Sequence, residues 1–191
     1  MEVIEALLNR RSCRHFSGQP VEKETIMKLL ECANFAPSPA NKQPWGFVVT
    51  SNPAYNLELK KRVEAVKEKI AAKSGWKWLL SYQVDFIEQA PILIAVTGDP
   101  ERNGAEQFLD EPSMGYEHAC CAAIQNILLA AHSLGLATLW LSLFEKKDAR
   151  SIFGIDQKQD PVAIICLGYP QGPMMVPPPR KELNTKVKFL D

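Results

Sequence analysis

A group of cationic side chains and one hydroxyl stands within five residues near the N-terminus. The group comprises Arg10, Arg11, Ser12 and Arg14. Guanidinium groups bind phosphate oxygens through paired, charge-assisted hydrogen bonds, so this cluster suits a phosphate monoester. Arg180 and Lys181 lie far away in sequence and can complete the same pocket. A solvated basic turn is the alternative, because runs of arginine on protein surfaces are common.

The segment 36–45 is rich in proline and in short polar side chains. Its sequence is Ala-Pro-Ser-Pro-Ala-Asn-Lys-Gln-Pro-Trp. A residue before proline favours extended backbone, so we expect Ser38 and Gln43 to be presented outside any helix. The amides of Asn41 and Gln43 each offer a donor and an acceptor, which matches the alternating groups along the edge of an isoalloxazine ring. An ordinary proline-rich connector is the alternative.

Hydrophobic periodicity predicts the elements that position these two segments. The predicted helices cover 1–8, 22–35, 53–74, 113–134 and 147–153, with a partly helical stretch over 76–89. The predicted strands cover 45–50, 92–97, 139–143 and 162–167. We expect the first strand to be buried, the helix over 113–134 to be the longest and central, and the polar segment 98–112 to be a mobile loop.

The C-terminal tail has no apolar core of its own. Residues 168–179 are rich in Pro and Gly and are expected to form an extended arm, whereas 186–190 alternate like an edge strand. Such an arm needs a surface to lie on, and a second subunit is one candidate. No internal repeat or second domain is visible, so we expect one domain over 1–191.

Bulk composition argues against several classes of partner. The chain has 22 Lys and Arg against 22 Asp and Glu, so no excess of cations is available for nucleic acid. The apolar stretch 119–144 is interrupted by polar residues, which indicates a core helix and a strand instead of a membrane span. The N-terminal residues carry acids where a signal peptide carries bases, and we expect a cytoplasmic protein with five reduced cysteines.

Other catalytic motifs find no support in the sequence. There is no GxGxxG after a strand, no Walker loop and no nucleophile elbow. His15, His118 and His132 lack metal-ligand spacing, so we expect no metal site and expect the latter two to satisfy hydrogen bonds around the long helix. Cys13 is either a thiol activated by neighbouring arginines or a spacer within a turn, and the spacer is favoured.

Four motifs in this order resemble the FMN-dependent nitroreductase family over essentially the whole chain. Residues 10–14 resemble the family's phosphate motif, and 36–45 its dimer-interface flavin motif. Residues 125–140 resemble its central helix and following strand, and Gly-Tyr-Pro at 168–170 with Pro-Arg-Lys at 179–181 its C-terminal arm. The match is poorest over 76–116, the region that usually shapes the substrate pocket in the family.

The resemblance implies a fold and a set of binding residues. The fold is α+β, a mixed and mostly antiparallel sheet flanked by helices, with an extended arm over 170–191 that packs on the partner subunit. A homodimer would share two FMN sites. One subunit would hold phosphate, ribityl and the pyrimidine edge, and would offer backbone groups near flavin N5 and O4; its residues are Arg10, Arg11, Ser12, Arg14, Leu141, Ser142, Arg180 and Lys181. The other subunit would contribute Pro37, Ser38, Pro39, Asn41 and Gln43.

The function that the resemblance implies is an FMN-dependent oxidoreductase. NADH or NADPH would supply electrons, and a small electron-poor acceptor such as a nitroaromatic or a quinone would receive them in the same pocket. The cofactor carries the difficult chemistry, so no side chain is expected to act as an essential acid or base. Two alternatives stay open: flavin fragmentation or reductive dehalogenation on the same fold, and a non-catalytic flavin-binding or storage protein. Neither the acceptor nor the preferred nicotinamide can be read from the sequence.

Overall fold

The computed structural model describes residues 1–111, 113–173, 176 and 178–190. Among them, the α-helices are α1 (Val3–Asn9), α2 (Lys23–Asn34), α3 (Pro53–Ser74), α4 (Trp78–Ser81), α5 (Phe86–Gln89), α6 (Gly115–Ser133) and α7 (Lys146–Phe153). The strands are β1 (Trp45–Thr50), β2 (Ile92–Gly98), β3 (Ala137–Leu141) and β4 (Asp160–Gly168). Short 3-10 turns cover Pro39–Asn41, Ala105–Phe108 and Leu183–Lys186.

The strands found in the described residues form one sheet in the order β1-β2-β4-β3. Every pair in this sheet is antiparallel. A parallel bridge between Ser12 and Thr138 adds a short extended segment beside β3, which gives the sheet its mixed character. The expectation of a mostly antiparallel sheet in an α+β fold is confirmed.

Apolar side chains of β2 and β4 fill both faces of this sheet. All seven residues of β2 are buried, and alternate residues point to opposite faces. On one face of the sheet, Ile94 and Ile165 pack against helices α2 and α6. On the other face, Leu93 and Ile164 pack against helices α3, α5 and α7. The two central strands therefore read as near-continuous hydrophobic runs.

Helix α3 shows how local sequence sets element boundaries. The side chain of Asn52 accepts a hydrogen bond from the backbone N–H of Ala54 at 3.0 Å, and Pro53 occupies the first helical turn. Gly75 ends the helix at φ 75°, a left-handed conformation that suits glycine. At 22 residues α3 exceeds α6, which has 19, so the expectation that the helix over 113–134 is the longest is wrong.

Two strands differ from the sequence-based expectation. Strand β3 begins at Ala137, because Gly135 ends α6 at φ 76° and the chain turns directly into the sheet. Strand β1 is half-buried instead of buried, since β2 is its one neighbour and its outer edge is open within the described residues. The partly helical stretch over 76–89 is confirmed by α4 and α5.

The expected edge strand over 186–190 is wrong for this chain. Leu183–Lys186 form a 3-10 turn, and the residues that follow pair with no strand of the described chain. Phe189 and Leu190 are 86% and 82% exposed. Alternation alone does not make a strand when no edge lies alongside to complete its hydrogen bonds. The predicted arm also includes residues 174, 175, 177 and 191, which lie outside the described part, as does Pro112 of the predicted loop.

A search of the described helices for a membrane-spanning segment found none of sufficient length and apolar character.

Candidate functional site

A cavity of about 450 Å³ brings together most of the predicted phosphate residues. It is lined by Arg10, Arg11, Ser12, Arg14, Val176, Pro178 and Arg180. We call it the arginine cavity. The sequence separates its two halves by more than 160 positions, and the fold brings Val176, Pro178 and Arg180 of the arm beside the N-terminal motif. Lys181 is exposed and does not line the cavity.

The arginines of this cavity differ from the other arginines in having no carboxylate partner within the described part of the chain. The chain has seven arginines. Arg62, Arg102 and Arg150 each make an ion pair. Within the described residues, none of the four cavity arginines makes one. Four guanidinium groups that share a cavity, with no counter-charge from any described residue, favour an anionic ligand.

Burial and the neighbouring like charges both act on the pKa of Arg10. Burial lowers the pKa of Arg10, and the charges of Arg11 and Arg180 lower it further. Arg11 is partly committed to the backbone, because its guanidinium donates to the carbonyl oxygens of Leu8 at 2.8 Å and of Arg10 at 2.6 Å. Its Nε is buried and has no hydrogen-bond partner in the described chain. A bound anion would relieve both costs.

The backbone that carries the motif is held by the sheet. Cys13 donates its N–H to the carbonyl of Thr138 at 2.9 Å, and Ser12 pairs with Thr138 in a parallel bridge. The chain therefore advances from Ser12 to Arg14 in the direction of β3, toward Leu141. Leu141 is buried at the end of β3, and Ser142 follows it in an exposed position. The motif and the predicted backbone groups thus lie along one edge of the sheet.

Cys13 is a buried structural residue. Its thiol donates to the carbonyl oxygen of His15 at 3.2 Å. Burial raises the pKa of Cys13, against a smaller lowering by that hydrogen bond and by the charge of Arg14. A buried thiol with a raised pKa is a poor nucleophile, so the spacer interpretation is the one that the geometry favours.

The second motif forms a loop with unusual backbone conformations. Ala40, Asn41 and Gln43 have φ values of 47°, 53° and 45°. Non-glycine residues in the left-handed region are uncommon, and each costs on the order of 1 kcal/mol or more. Such strain concentrates at binding sites, where the surrounding structure holds it in place.

Side-chain hydrogen bonds hold this loop together. Ser38 is extended, as expected, but its Oγ accepts the N–H of Gln43 at 3.0 Å. The Gln43 amide donates to Asn41 Oδ1 at 3.0 Å. Gln43 lies outside any helix and is exposed, as expected, but its backbone is left-handed instead of extended, because these bonds favour the turn. Pro37, Asn41 and Gln43 are exposed, whereas Ser38 and Pro39 are half-buried.

Arg102 supports the loop from the neighbouring segment, a role with no signal in the sequence. Its guanidinium donates to the carbonyl of Gln43 at 3.4 Å and pairs with Asp99 at 3.1 Å. Asp99 in turn donates its N–H to the carbonyl of Pro44 at 2.9 Å. The predicted loop over 98–112 thus braces the strained segment through its first residues.

The two motifs lie at opposite ends of α6. A side-chain carbon placed on Gly115, at the start of α6, would lie 3.1 Å from Pro39 of the loop. At the other end, the charges of Arg10 and Arg11 act on His132. Seventeen residues at 1.5 Å each separate Gly115 from His132, or about 25 Å. Strand β4 spans a similar length. The loop lies near Gly98, which pairs with Asp160 at the start of β4, and the arginines lie near Thr138, which pairs with Leu167 close to its end.

His132 differs from its expected role. The expectation of a hydrogen-bonded histidine is wrong for its Nε2, which is buried without a partner in the described chain. Burial lowers the pKa of His132, and the charges of Arg10 and Arg11 lower it further. Over the part of the chain that the structure describes, no group of His, Cys, Asp and Glu side chains has the geometry of a metal site.

Sequence reasoning also missed Tyr82, which contacts the cavity from the region over 76–89. The guanidinium carbon of Arg14 lies 5.9 Å from the centroid of the Tyr82 ring. Aromatic residues are frequent over 76–86, but nothing in their spacing indicated which of them would reach Arg14.

Fold and cavity together define an α+β protein with a site suited to an anionic ligand. A model of the nitroreductase family matches residues 7–169, and the chain belongs to that family. A Methanothermobacter thermautotrophicus protein, provisionally named NADH dehydrogenase/NAD(P)H nitroreductase, is 32% identical over 174 residues, which cover 89% of this chain and 78% of the relative.

Two further relatives have different names. A 5,6-dimethylbenzimidazole synthase from Rhodospirillum rubrum is 27% identical, with 91% of this chain and 85% of the relative covered. An iodotyrosine deiodinase from Haliscomenobacter hydrossis is 29% identical, with 92% and 82% covered. The family thus includes proteins named for different reactions.

A solved structure confirms the fold. The nitroreductase with bound FMN from Bacteroides fragilis superposes on this chain with a TM-score of 0.74, at 23% identity, and each chain is covered completely (100%). At this identity the likeness concerns the fold.

Proposed function

We propose that this protein is an FMN-dependent oxidoreductase in which two copies of the chain share two flavin sites. The observation that carries the proposal is the arginine cavity, with four guanidinium groups and no carboxylate partner among the described residues. A phosphate monoester carries close to two negative charges at neutral pH, so it fits this surplus. Membership of a family that includes flavoproteins supports FMN as the molecule that bears it.

The proposed roles follow from position. Arg10, Arg11, Arg14 and Arg180 would neutralise the phosphate and the negative charge of the reduced cofactor, and Ser12 would donate a hydrogen bond. The backbone at Leu141 and Ser142 would face the ring system, since it lies farther along the same edge of the sheet. Lys181 is exposed beside Arg180 and would add to the local field from outside the cavity.

The second subunit follows from the separation of the motifs. The axial rise of α6 between Gly115, beside the Pro37–Gln43 loop, and His132, on the side of the arginines, is roughly 25 Å. This rise supports the inference that one flavin does not use both motifs of one chain. In a symmetric dimer, the loop of one subunit can lie over the cavity of the other, and each of two sites then receives one copy of each motif.

Bound FMN would supply the hydride and electron chemistry, from NADH or NADPH to an electron-poor acceptor such as a nitroaromatic or a quinone. The chain's own residues would bind, orient and electrostatically stabilise the cofactor. No side chain in the cavity has the character of a proton donor at neutral pH, because arginine stays protonated and the Ser12 hydroxyl is a weak acid. We therefore assign no acid or base.

A second candidate function is different flavin chemistry in the same site. The relatives named 5,6-dimethylbenzimidazole synthase and iodotyrosine deiodinase favour flavin fragmentation and reductive dehalogenation as alternatives. A non-catalytic flavin-binding role is a third. We also propose a cytoplasmic location, since all five cysteines are free thiols in the structure and suit a reducing compartment.

Identification of the bound flavin is the first test. Flavin released by heat from the purified protein should be FMN when separated by liquid chromatography. FAD, or a colourless protein that FMN does not reconstitute, would refute the assignment. Anaerobic stopped-flow mixing with NADH and NADPH, followed by candidate acceptors, then separates the alternatives. Rapid bleaching and reoxidation support the oxidoreductase, whereas bleaching by neither donor favours a binding protein.

A hybrid dimer tests the sharing of sites. One chain carries Arg14→Ala and Arg180→Ala, and the other carries Asn41→Ala and Gln43→Ala. Each homodimer should lose FMN. In the purified hybrid, one site combines the intact arginines of the second chain with the intact loop of the first, so about one FMN per dimer should return. A hybrid without FMN would indicate that each chain builds its site alone.

A further inference from the structure

Four aromatic rings form a row on the side of the molecule next to the arginine cavity. Trp76 and Trp78 stack with ring centroids 6.2 Å apart, and Trp78 meets Tyr82 edge-on at 6.4 Å. Tyr82 meets Phe86 edge-on, also at 6.4 Å. Phe86 is 2% exposed and belongs to the core, whereas both tryptophans are 57% exposed. The row therefore runs from the core to the surface, and Tyr82 lies in its middle.

Tyr82 lies beside the guanidinium group of Arg14. The guanidinium carbon of Arg14 lies 5.9 Å from the Tyr82 ring centroid, within the range of a cation–π interaction. In the described chain, the Arg14 guanidinium has neither a hydrogen bond nor an ion pair, in contrast to Arg11 with its two carbonyl acceptors. The ring also packs edge-on against the core residue Phe86, which supports it beside Arg14.

We propose that Tyr82 is a positioning residue that holds the Arg14 guanidinium toward the arginine cavity and thereby raises the affinity for FMN. This inference rests on the proposed function. A carboxylate in the place of Tyr82 would orient Arg14 equally well, but it would neutralise the charge that the phosphate needs. An aromatic face attracts a cation without cancelling its charge, so the guanidinium stays ordered and remains available to an anion.

The same contact links the aromatic row to cofactor binding. Tyr82 belongs to the segment between α4 and α5, and both helices pack on α3. A molecule that moves Tyr82 would also move Arg14. The region of the chain whose role was left open by the sequence thus contributes to the cofactor site through one ring.

The test compares FMN dissociation constants of the full-length wild-type protein with those of Tyr82→Leu and Tyr82→Phe, by quenching of flavin fluorescence. Tyr82→Leu should bind FMN roughly three- to thirty-fold more weakly, the range expected from a cation–π contact. Tyr82→Phe keeps the aromatic face and should bind within about two-fold of wild type. Tyr55→Leu is the matched control, because Tyr55 also stacks on a core phenylalanine, Phe153, at 6.1 Å.

A double-mutant cycle separates positioning from general destabilisation. In an Arg14→Ala background, Tyr82→Leu should have no further effect on the FMN dissociation constant. The protein without flavin gives an independent readout: the Arg14 side-chain NMR resonances of wild type should carry a ring-current shift that Tyr82→Leu abolishes and Tyr82→Phe keeps.

The outcomes distinguish this inference from the proposed function. Wild-type protein that binds no FMN would refute the proposed function and, with it, a role of Tyr82 in flavin affinity. Wild-type protein that binds FMN, with Tyr82→Leu equal to Tyr55→Leu, would overturn the inference alone. Additive effects of Tyr82→Leu and Arg14→Ala, or unchanged Arg14 resonances in Tyr82→Leu, would overturn it as well.

Discussion

Two cationic clusters lie at opposite ends of the sheet and differ in whether a carboxylate pairs with them. Around Asp160, at the start of β4, Lys146 and Arg150 pair with the carboxylate, and Tyr116 donates its hydroxyl proton to it at 3.0 Å. Around the arginine cavity, near the end of β4, four cations lie together without a carboxylate among the described residues. The cations of the first cluster have a carboxylate partner, and those of the second have none among the described residues.

The difference separates charges that are paired within the fold from charges that have no carboxylate partner among the described residues. Asp160 is 8% exposed, and its hydrogen-bonding capacity is filled by its neighbours. Burial and hydrogen bonding to Asp160 raise the pKa of Tyr116 well above its ordinary range, so this hydroxyl stays protonated. In the arginine cavity, burial lowers the pKa of Arg10, and the like charges of Arg11 and Arg180 lower it further.

The largest effect is expected from Asp160→Ala, which breaks the paired cluster. The change leaves Lys146 and Arg150 near one another without their shared carboxylate, and we expect a loss of about 3 kcal/mol in the free energy of unfolding. Urea denaturation would measure it. Asp148→Ala is the matched control, because the Asp148 side chain is similarly buried but pairs with one cation, Arg62, instead of two, and it should cost under about 1 kcal/mol. Equal losses would show that Asp160 is no more than a surface partner.

Arg14→Ala is expected to have the opposite profile, with a loss of ligand affinity and little loss of stability. Removing one charge-assisted contact to a phosphate costs about 1.5–3 kcal/mol, or roughly ten- to a hundred-fold in FMN affinity. Stability without flavin should change by about 1 kcal/mol or less, since the loss of the Tyr82 contact and the removal of one of four like charges oppose each other. Titration with FMN would test this against Lys61→Ala, on the exposed face of α3. Equal FMN affinities for the two variants would remove Arg14 from the site.

The pH dependence of stability should report on the arginine cavity through His132. Its pKa is lowered in the folded protein by burial, Arg10 and Arg11, so the unfolded chain takes up this proton at higher pH. The free energy of unfolding should therefore fall as the pH drops from about 6.5 to the folded-state pKa of His132. Above about pH 6.5, His132 should have no effect on it.

A bound phosphate would offset the charges of Arg10 and Arg11, raise the pKa of His132 and reduce this slope. Urea denaturation between pH 5 and 8, with and without FMN, would show it, with His132→Gln as the variant that lacks the titrating group. An NMR titration that gives His132 an ordinary or raised pKa in the flavin-free protein would contradict the expectation.

The smallest effect is expected from Arg102→Ala, because Arg102 has a carboxylate partner and also contacts the loop that is proposed to bind the cofactor. Arg102 is paired with Asp99, yet it also supports the strained loop through the carbonyl of Gln43. Both contacts are exposed and are worth about 1 kcal/mol or less each, so FMN affinity should fall by less than about five-fold. An effect as large as that of Arg14→Ala in the same assay would place Arg102 among the residues that bind the cofactor directly.

Local signals in the sequence predicted most of the fold. The Asn52-Pro53 start of α3, the left-handed glycines and the apolar runs of β2 and β4 depend on nearby residues, and each was predicted correctly. Strand β3 was displaced by two residues, because an apolar run of Leu and Trp gives no boundary of its own. The tail strand was wrong because strand formation depends on a partner edge, which periodicity does not describe.

The candidate site was predictable in composition but not in arrangement. Residue types and spacing indicated the cation cluster and the polar loop, and they linked Arg180 to the N-terminal motif. They could not show that α6 holds the two motifs about 25 Å apart, because this depends on which end of a helix each segment packs against. They also missed Tyr82 and Arg102, whose contacts join positions 68 and 59 residues apart.

The length of α6 has a consequence for how the proposed cofactor site responds to dilution. If each site needs an arginine cavity from one chain and a loop from another, FMN binding and subunit association are linked by mass action. Added flavin would then favour the associated state, and dilution of the protein would release flavin even at constant FMN concentration. The protein concentration would thereby set the fraction of the protein that carries bound FMN. The 19-residue helix α6, which separates the two motifs, would be the cause of this dependence.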